Sequence, residues 1–271
     1  MGEFPELDAP FRLSPDQIAQ FEQQGFIRLK DVLSADCLNA YGEDITALTL
    51  ALNHETRPLG ERSTYDRAFL QVMNLWTHSE RVREFVFGKR LAQLAAELLQ
   101  VKGVRLYHDQ SLYKEPGGGI TPAHADQYYW PLASDRTVTA WIPLQPVPED
   151  MGPLGFYAQS QTASLGRDLA ISDESEAKIT AQMEASGFDF VSCGFDLGEV
   201  SFHLGWTFHR AGPNLSKQPR SVMTIIYMDA AMRLQAPTNS MQAADRDQWC
   251  PGIEAGQIVA SPLNPILHEA A

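Results

Sequence analysis

The spacing of the apolar residues changes at Gly103, and this change constrains the fold more than any other feature of the sequence. Before it, apolar residues recur at helical intervals, as in Leu91, Leu94 and Leu98. After it come short β-rich segments separated by turn residues: 104–113, 137–144, 198–203 and 221–228. Because helices come first and strands later, without alternation, the pattern predicts an α+β protein with an antiparallel sandwich or barrel behind a helical layer. The same pattern disfavours Rossmann and TIM-barrel folds.

Helix-start signals mark the first third of the chain. Ser14-Pro15-Asp16-Gln17 has the form of a capping box with proline at the first helical position, and Gly25 is a suitable stop. Ser34 can cap a second helix that runs to about residue 50. We therefore expect a helical layer over about 14–100 and a β core over about 104–230. The polar stretch 161–190 reads as an insertion between strands, and 236–271 as an irregular tail.

Composition excludes several classes of partner. The net charge of −13 disfavours nucleic acids and anionic membranes. No stretch approaches the roughly 18 apolar residues that a membrane-spanning helix needs, and the first residues lack the pattern of a signal peptide. The three widely spaced cysteines predict neither a disulfide framework nor a cysteine zinc site. A reduced cytoplasmic protein is the expectation.

The most informative motif is His124-Ala-Asp126. In an extended backbone, residues two apart project to the same face, so an imidazole and a carboxylate can chelate one divalent metal ion. A second imidazole from a distant strand, for which His209 is the candidate, completes the facial triad of non-haem iron(II) oxygenases. Taken alone the motif is weak, and the alternative is a surface histidine beside an acid. His78-Ser-Glu80 has the same form but lies at an expected helix start.

An arginine strengthens the metal interpretation. Arg220 follows His209 by eleven residues and begins the next expected strand, so a hairpin can return it to the side of the sheet that carries the metal. A guanidinium group is the preferred partner of a carboxylate such as the distal group of 2-oxoglutarate. The alternative for Arg220 is a solvated charge after a proline turn.

Several motifs in this order resemble the phytanoyl-CoA dioxygenase family of 2-oxoglutarate-dependent oxygenases. They are the His124-x-Asp126, His209 and Arg220 set, the opening segment SPDQIAQFEQQGFIRLKDVLSADCL, and the stretches 106–119 and 151–156. The resemblance runs along most of the chain. It departs from the family pattern after Phe156, where a glycine and a histidine are missing, and this puts any role of those two positions in doubt.

The resemblance implies a fold and a site. The fold is a double-stranded β-helix (a jelly roll, as in cupins) with flanking N-terminal helices. Fe(II) is held by His124, Asp126 and His209, and 2-oxoglutarate is bound by Arg220. Further cosubstrate contacts fall at Gln110 and at Thr139 or Trp141, although Trp141 could equally be a core aromatic. Substrate-pocket candidates are Met73, Asn74, Tyr128, Tyr129 and Trp130, with ordinary packing as the alternative for the last three.

The resemblance also implies a reaction. Halogenating relatives carry a small residue where this chain has Asp126, so hydroxylation of a small or medium organic metabolite is favoured, with O2 consumed and succinate and CO2 released. Ascorbate is expected to stimulate it. Desaturation, cyclisation or endoperoxide formation at the same centre is one alternative, and a non-catalytic cupin-like metal-binding module is another. Because the four site positions must meet, we expect one domain over 1–271, present as a monomer or homodimer.

Overall fold

The computed structural model describes residues 4–270. The α-helices are α1 Pro15–Gln24, α2 Ala35–Leu52, α3 Thr64–Ala68, α4 Glu80–Val86, α5 Lys89–Leu99, α6 Asp173–Ala185 and α7 Ser240–Trp249. The strands are β1 Phe26–Leu29, β2 Leu70–Met73, β3 Gly103–Lys114, β4 Thr121–His124, β5 Thr137–Pro143, β6 Leu154–Tyr157, β7 Phe190–Val191, β8 Val200–Leu204, β9 His209–Ala211, β10 Arg220–Asp229 and β11 Ile266–Glu269.

The strands form two antiparallel sheets. The larger sheet has the order β1-β8-β5-β10-β3-β11, with β2 also paired to β3. The smaller sheet has the order β4-β9-β6-β7. Side chains of both sheets meet in one buried cluster that includes Leu112, Trp141 and Val222 from the larger sheet and Phe156 and Ala211 from the smaller one. This arrangement confirms the predicted jelly-roll core.

The larger sheet is covered by the N-terminal helices. Along β5, Val138, Ala140 and Ile142 pack in the same cluster as residues of α2, α4 and α5, whereas Thr139 and Trp141 face the space between the sheets. Successive side chains of β5 thus point to opposite faces of the sheet. Because both faces are buried, every position of β5 except the two threonines carries an apolar residue. The helices thus hold the outer face, and the inner face is left for a site.

The helix-start signals are confirmed. The hydroxyl of Ser14 accepts a hydrogen bond from the Gln17 amide, and the Gln17 side chain accepts one from the Ser14 amide. Gly25 ends α1 in the left-handed conformation, with φ of 79°. At the start of α2 the hydroxyl of Ser34 accepts a hydrogen bond from the Cys37 amide. The insertion over 161–190 contains α6, whose Ile179 and Met183 pack in a buried cluster with residues of the smaller sheet and its loops.

The prediction of an irregular tail over 236–271 is wrong. Helix α7 begins at an Asn239 cap, and its Trp249 is 5% exposed. Strand β11 pairs with the start of β3. Both elements are held by distant parts of the chain, which is why local composition did not indicate them. Within residues 4–270, no helix combines the length and the apolar character needed to cross a bilayer.

Candidate active site

Three side chains predicted to bind a metal converge where β4 and β9 pair. His124 ends β4 and lies opposite His209, the first residue of β9. Asp126 begins the short 3-10 helix that follows β4. The Nε2 atoms of His124 and His209 each lie 3.5 Å from Oδ1 of Asp126. One ligand atom from each residue lies within 4.8 Å of the others, which is a separation that one metal ion can bridge.

Hydrogen bonds orient both imidazoles for coordination. Nδ1 of His124 lies 2.7 Å from the Pro122 carbonyl oxygen, and Nδ1 of His209 lies 2.9 Å from that of Thr207. A carbonyl only accepts, so Nδ1 carries the proton and the Nε2 lone pair is free for a metal. Burial, with a contribution from His124, holds the pKa of His209 well below its ordinary value and keeps its ring neutral.

The carboxylate of Asp126 is ionised and held at its second oxygen. Burial alone would raise its pKa, but His209, His124 and His203 together hold the pKa well below the ordinary value. Oδ2 accepts a hydrogen bond of 3.0 Å from Thr139 Oγ1 and lies 3.2 Å from Nε2 of His203. Oδ1 is thereby directed to the two imidazoles. Two neutral imidazoles and one carboxylate, with an apolar wall around them, are a donor set that fits Fe(II).

The triad opens into a cavity of about 420 Å³ between the two sheets. Of the other predicted site residues, those that line it are Met73, Gln110, Tyr129, Trp130, Thr139, Trp141 and Arg220. The hydroxyl of Thr139, which was expected at the cosubstrate, donates a hydrogen bond to Asp126. The side-chain oxygen of Gln110 accepts a 2.6 Å hydrogen bond from Gln71, which leaves its amide group for a ligand.

Two predicted pocket residues do not line the cavity. Asn74 follows β2 in a left-handed conformation with φ of 51°, and its side-chain oxygen accepts a 3.4 Å hydrogen bond from the Asp109 amide. Asn74 is therefore buried outside the cavity, whereas Met73 lines it. Tyr128 lies within a 3-10 turn, whose successive side chains diverge, so Tyr129 faces the cavity and Tyr128 does not.

Arg220 is a buried cation without an acidic partner. Arg220 is the first residue of β10 and lies beside the cavity, and it is 2% exposed. Nη1 donates to the Gly152 carbonyl, while Nε has no hydrogen-bond partner. Among residues 4–270 no carboxylate lies within ion-pair distance of it. Burial lowers the pKa of Arg220 to about 9, so the group is charged at neutral pH. A lone buried guanidinium beside a cavity fits the carboxylate of a cosubstrate.

Lys114 is a second buried basic side chain beside the site, and the sequence did not indicate it. It lies opposite Arg220 in the β3–β10 register and is 0% exposed. Nζ donates to the carbonyls of Gly119 and Gly212 and to Thr121 Oγ1. Burial, together with the nearby Arg220, lowers the pKa of Lys114 to about 6. Lys114 therefore ties together the loops behind Arg220 rather than facing solvent.

Comparison with known proteins agrees with this geometry. The family model described as phytanoyl-CoA dioxygenase matches residues 21–222. Phytanoyl-CoA dioxygenase domain-containing protein 1 of Bos taurus is 21% identical over 276 residues, covering 85% of this chain and 95% of that protein.

Solved structures share the fold over nearly the whole chain. The 2-oxoglutarate-dependent carbocyclase SnoK from nogalamycin biosynthesis aligns with a TM-score of 0.77 at 21% identity, covering 95% of this chain and 99% of that one. The epimerase SnoN of the same biosynthesis aligns with a TM-score of 0.76 at 24% identity, covering 93% and 98%. EctD from S. alaskensis, solved with 2-oxoglutarate and 5-hydroxyectoine, aligns with a TM-score of 0.71 at 19% identity, covering 97% and 88%.

Proposed function

The chain belongs to the phytanoyl-CoA dioxygenase family of Fe(II)- and 2-oxoglutarate-dependent oxygenases, and we propose that it oxidises an unactivated C–H bond of a small or medium organic metabolite. In this reaction O2 is consumed and 2-oxoglutarate is converted to succinate and CO2. The favoured outcome for the metabolite is hydroxylation. The whole chain acts as one such unit, because residues spread over 124–220 build a single site.

His124, Asp126 and His209 are the residues that would hold the iron. When bound, Fe(II) supplies the activation of O2 that couples decarboxylation of 2-oxoglutarate to C–H oxidation. The chain contributes orientation. The carbonyls of Pro122 and Thr207 fix the two imidazole tautomers, and Thr139 and His203 fix the carboxylate. The apolar walls of the cavity exclude water from the reacting groups.

The observation that carries the proposal is the unpaired Arg220. A buried guanidinium costs several kcal/mol unless an anion compensates it. The distal carboxylate of 2-oxoglutarate is such an anion, and the face of Trp141, whose ring centroid lies 5.5 Å from Arg220 Cζ, borders the same space. A metal-binding module without oxygenase activity has no need of this cation, so Arg220 supports the enzyme over the module.

The substrate class follows in part from the cavity wall. Arg220 is the only lysine or arginine among the described residues that line the cavity, so no second basic group is available there for the phosphates of a CoA ester. The net charge of −13 argues in the same direction. We therefore favour metabolites that are not acyl-CoA esters as substrates.

Hydroxylation is not the only candidate outcome after the C–H bond of the substrate is cleaved. Two of the structures that share the fold are described as a carbocyclase and an epimerase, so ring closure, desaturation or endoperoxide formation is kept beside hydroxylation. Mass spectrometry of metabolite mixtures incubated with the enzyme, Fe(II), ascorbate and 2-oxoglutarate separates them. A product heavier by one oxygen atom supports hydroxylation, one lighter by two hydrogen atoms supports desaturation or ring closure, and one heavier by two oxygen atoms supports endoperoxide formation.

The role of Arg220 is tested by calorimetric titration of 2-oxoglutarate into the Fe(II)-loaded protein without oxygen. We expect saturable binding by the wild type and a loss of about a hundredfold in affinity in Arg220→Gln, since a charge-assisted bidentate contact is removed. The matched control is Arg233→Gln, an exposed arginine just beyond the other end of β10. Absence of binding by the wild type, or equal binding by Arg220→Gln, contradicts the proposal.

A further inference from the structure

A bulge in β3 turns two consecutive side chains toward the space between the sheets. In the β3–β10 register, Ile226 lies opposite His108 and Tyr227 lies opposite Leu106, so Tyr107 is an extra residue. Without the bulge, neighbouring side chains would point to opposite faces. With it, Tyr107 packs beside Trp130 and His108 lines the cavity. Bulges of this kind often re-aim side chains beside functional sites.

Tyr107 holds the carboxylate of Asp245 at the cavity wall. Asp245 lies on α7, in the tail that was expected to be irregular, and its Oδ2 accepts a 2.9 Å hydrogen bond from Tyr107 Oη. Trp249 lies one turn further along α7, and its ring centroid lies 5.3 Å from that of His108. Helix α7 is therefore fixed against β3, and Asp245 is presented to the cavity by a neutral donor, Tyr107.

Asp245 lacks a cation. No lysine, arginine or histidine of residues 4–270 lies within ion-pair distance of its carboxylate. Burial raises the pKa of Asp245 to about 7, which shows that the surroundings disfavour the charge. His108, which lines the same cavity, is neutral at physiological pH, because burial lowers its pKa to about 4. A partly buried carboxylate in a largely apolar wall is costly unless a ligand supplies the positive charge.

The cavity thus carries one basic and one acidic side chain, each without an oppositely charged partner among the described residues. They are Arg220 and Asp245. Arg220 is accounted for by the anionic cosubstrate. The same physical argument applied to Asp245 calls for a cationic group on the other ligand. Aromatic side chains that attract cations line the same cavity, namely Tyr65, Tyr129 and Trp130.

We propose that Asp245 anchors a protonated amine, and that the substrate of this enzyme is a metabolite carrying a basic nitrogen. This inference rests on the proposed function, since it takes the cavity to be the substrate pocket. The competing explanation is that Asp245 only fastens α7 to β3 through Tyr107. Asp245→Asn separates the two, because an asparagine oxygen still accepts from Tyr107 but carries no charge.

The test measures binding to the Fe(II)- and 2-oxoglutarate-loaded protein by equilibrium dialysis without oxygen. The probes are matched pairs that differ only in the amine, tryptamine against tryptophol and tyramine against 2-(4-hydroxyphenyl)ethanol, at millimolar concentration. In at least one pair we expect the wild type to bind the amine about tenfold or more tightly than the alcohol. Asp245→Asn should lose this preference. The control Asp247→Asn, on the same helix with a side chain 68% exposed, should keep it.

Three results overturn the inference. They are equal binding of amine and alcohol by the wild type, binding of neither, and a preference that survives in Asp245→Asn. The melting temperature gives an independent readout, because removal of an unpaired charge should leave Asp245→Asn at least as stable as the wild type, whereas a purely structural aspartate would make it less stable. Binding of 2-oxoglutarate is measured in the same samples. Its absence refutes the proposed function, and its presence without amine preference refutes only the role of Asp245.

Discussion

The second oxygen of Asp126 offers a sharp test of how the chain orients its metal ligands. Thr139→Val removes the hydroxyl that donates to Oδ2 over 3.0 Å and keeps the branched shape of a side chain that is 2% exposed. Oδ2 then keeps only the contact with His203, whose Nε2 lies 3.2 Å away. We expect a weaker hold on the orientation of Oδ1, the oxygen that faces His124 and His209.

The size of the effect follows from the hydrogen bond that is lost. A hydrogen bond to a charged group contributes about 1.5–3 kcal/mol, and about 1.4 kcal/mol corresponds to a factor of ten in affinity. The upper limit is therefore about a hundredfold loss of metal affinity. Because His203 still holds Oδ2, we expect a loss of about tenfold in Thr139→Val, within the range found for groups that support metal ligands.

The assay is anaerobic calorimetric titration of Fe(II) into the metal-free protein. Thr139→Ser keeps the hydroxyl and should bind as the wild type does. Thr224→Val is the matched control on the neighbouring strand β10, since Thr224 lines the same cavity but donates to the Gln110 carbonyl instead of to a metal ligand. Wild-type affinity in Thr139→Val, or an equal loss in Thr224→Val, would refute the reasoning.

Three further predictions concern stability. Burial raises the pKa of Asp109 to about 7, so between the ordinary carboxyl pKa and about 7 the folded state binds more protons than the unfolded chain, and stability falls as pH rises through that window. Urea unfolding at a series of pH values should show a steeper decline in the wild type than in Asp109→Asn, in which Asp245, with a pKa also raised to about 7, still contributes; parallel curves would count against it. Leu94→Ala in α5, at a fully buried position, should lower the free energy of unfolding by about 2–5 kcal/mol, and a loss below about 1 kcal/mol would show that the helical layer is loosely packed. Gly25→Ala should lower the melting temperature, because Gly25 has φ of 79° and an added Cβ would lie 2.6 Å from Thr207 Oγ1; an unchanged melting temperature would contradict the close approach.

The His124 and Asp126 part of the metal triad could be predicted from sequence because its geometry is local, whereas the distant His209 and Arg220 were indicated together with the resemblance to a family pattern. His124 and Asp126 are two residues apart in an extended segment, and His209 and Arg220 begin two successive strands joined by one connection. The helix starts were predictable for the same reason, since Ser14 and Ser34 bond to amides three residues away. The jelly-roll fold was indicated by the resemblance to a family and is confirmed.

The supporting residues could not be predicted because their partners are distant along the chain. His203 contacts Asp126 across 77 positions, and Asp245 contacts Tyr107 across 138. The bulge at Tyr107 also breaks the strict alternation on which a reading of β3 depends. Helix α7 was missed because its stability comes from Trp249 and from the bond that Gln242 makes to the Tyr128 carbonyl, not from an apolar stripe.

The proposed oxygenase activity is tested most directly by the conversion of 2-oxoglutarate to succinate. The measurement is succinate formation in air with Fe(II), ascorbate and 2-oxoglutarate, for the wild type and for Asp126→Ala. We expect iron-dependent succinate formation by the wild type, at a rate that rises when a substrate is added, and none above an iron-only control for Asp126→Ala. Wild-type formation no higher than that of Asp126→Ala would contradict it.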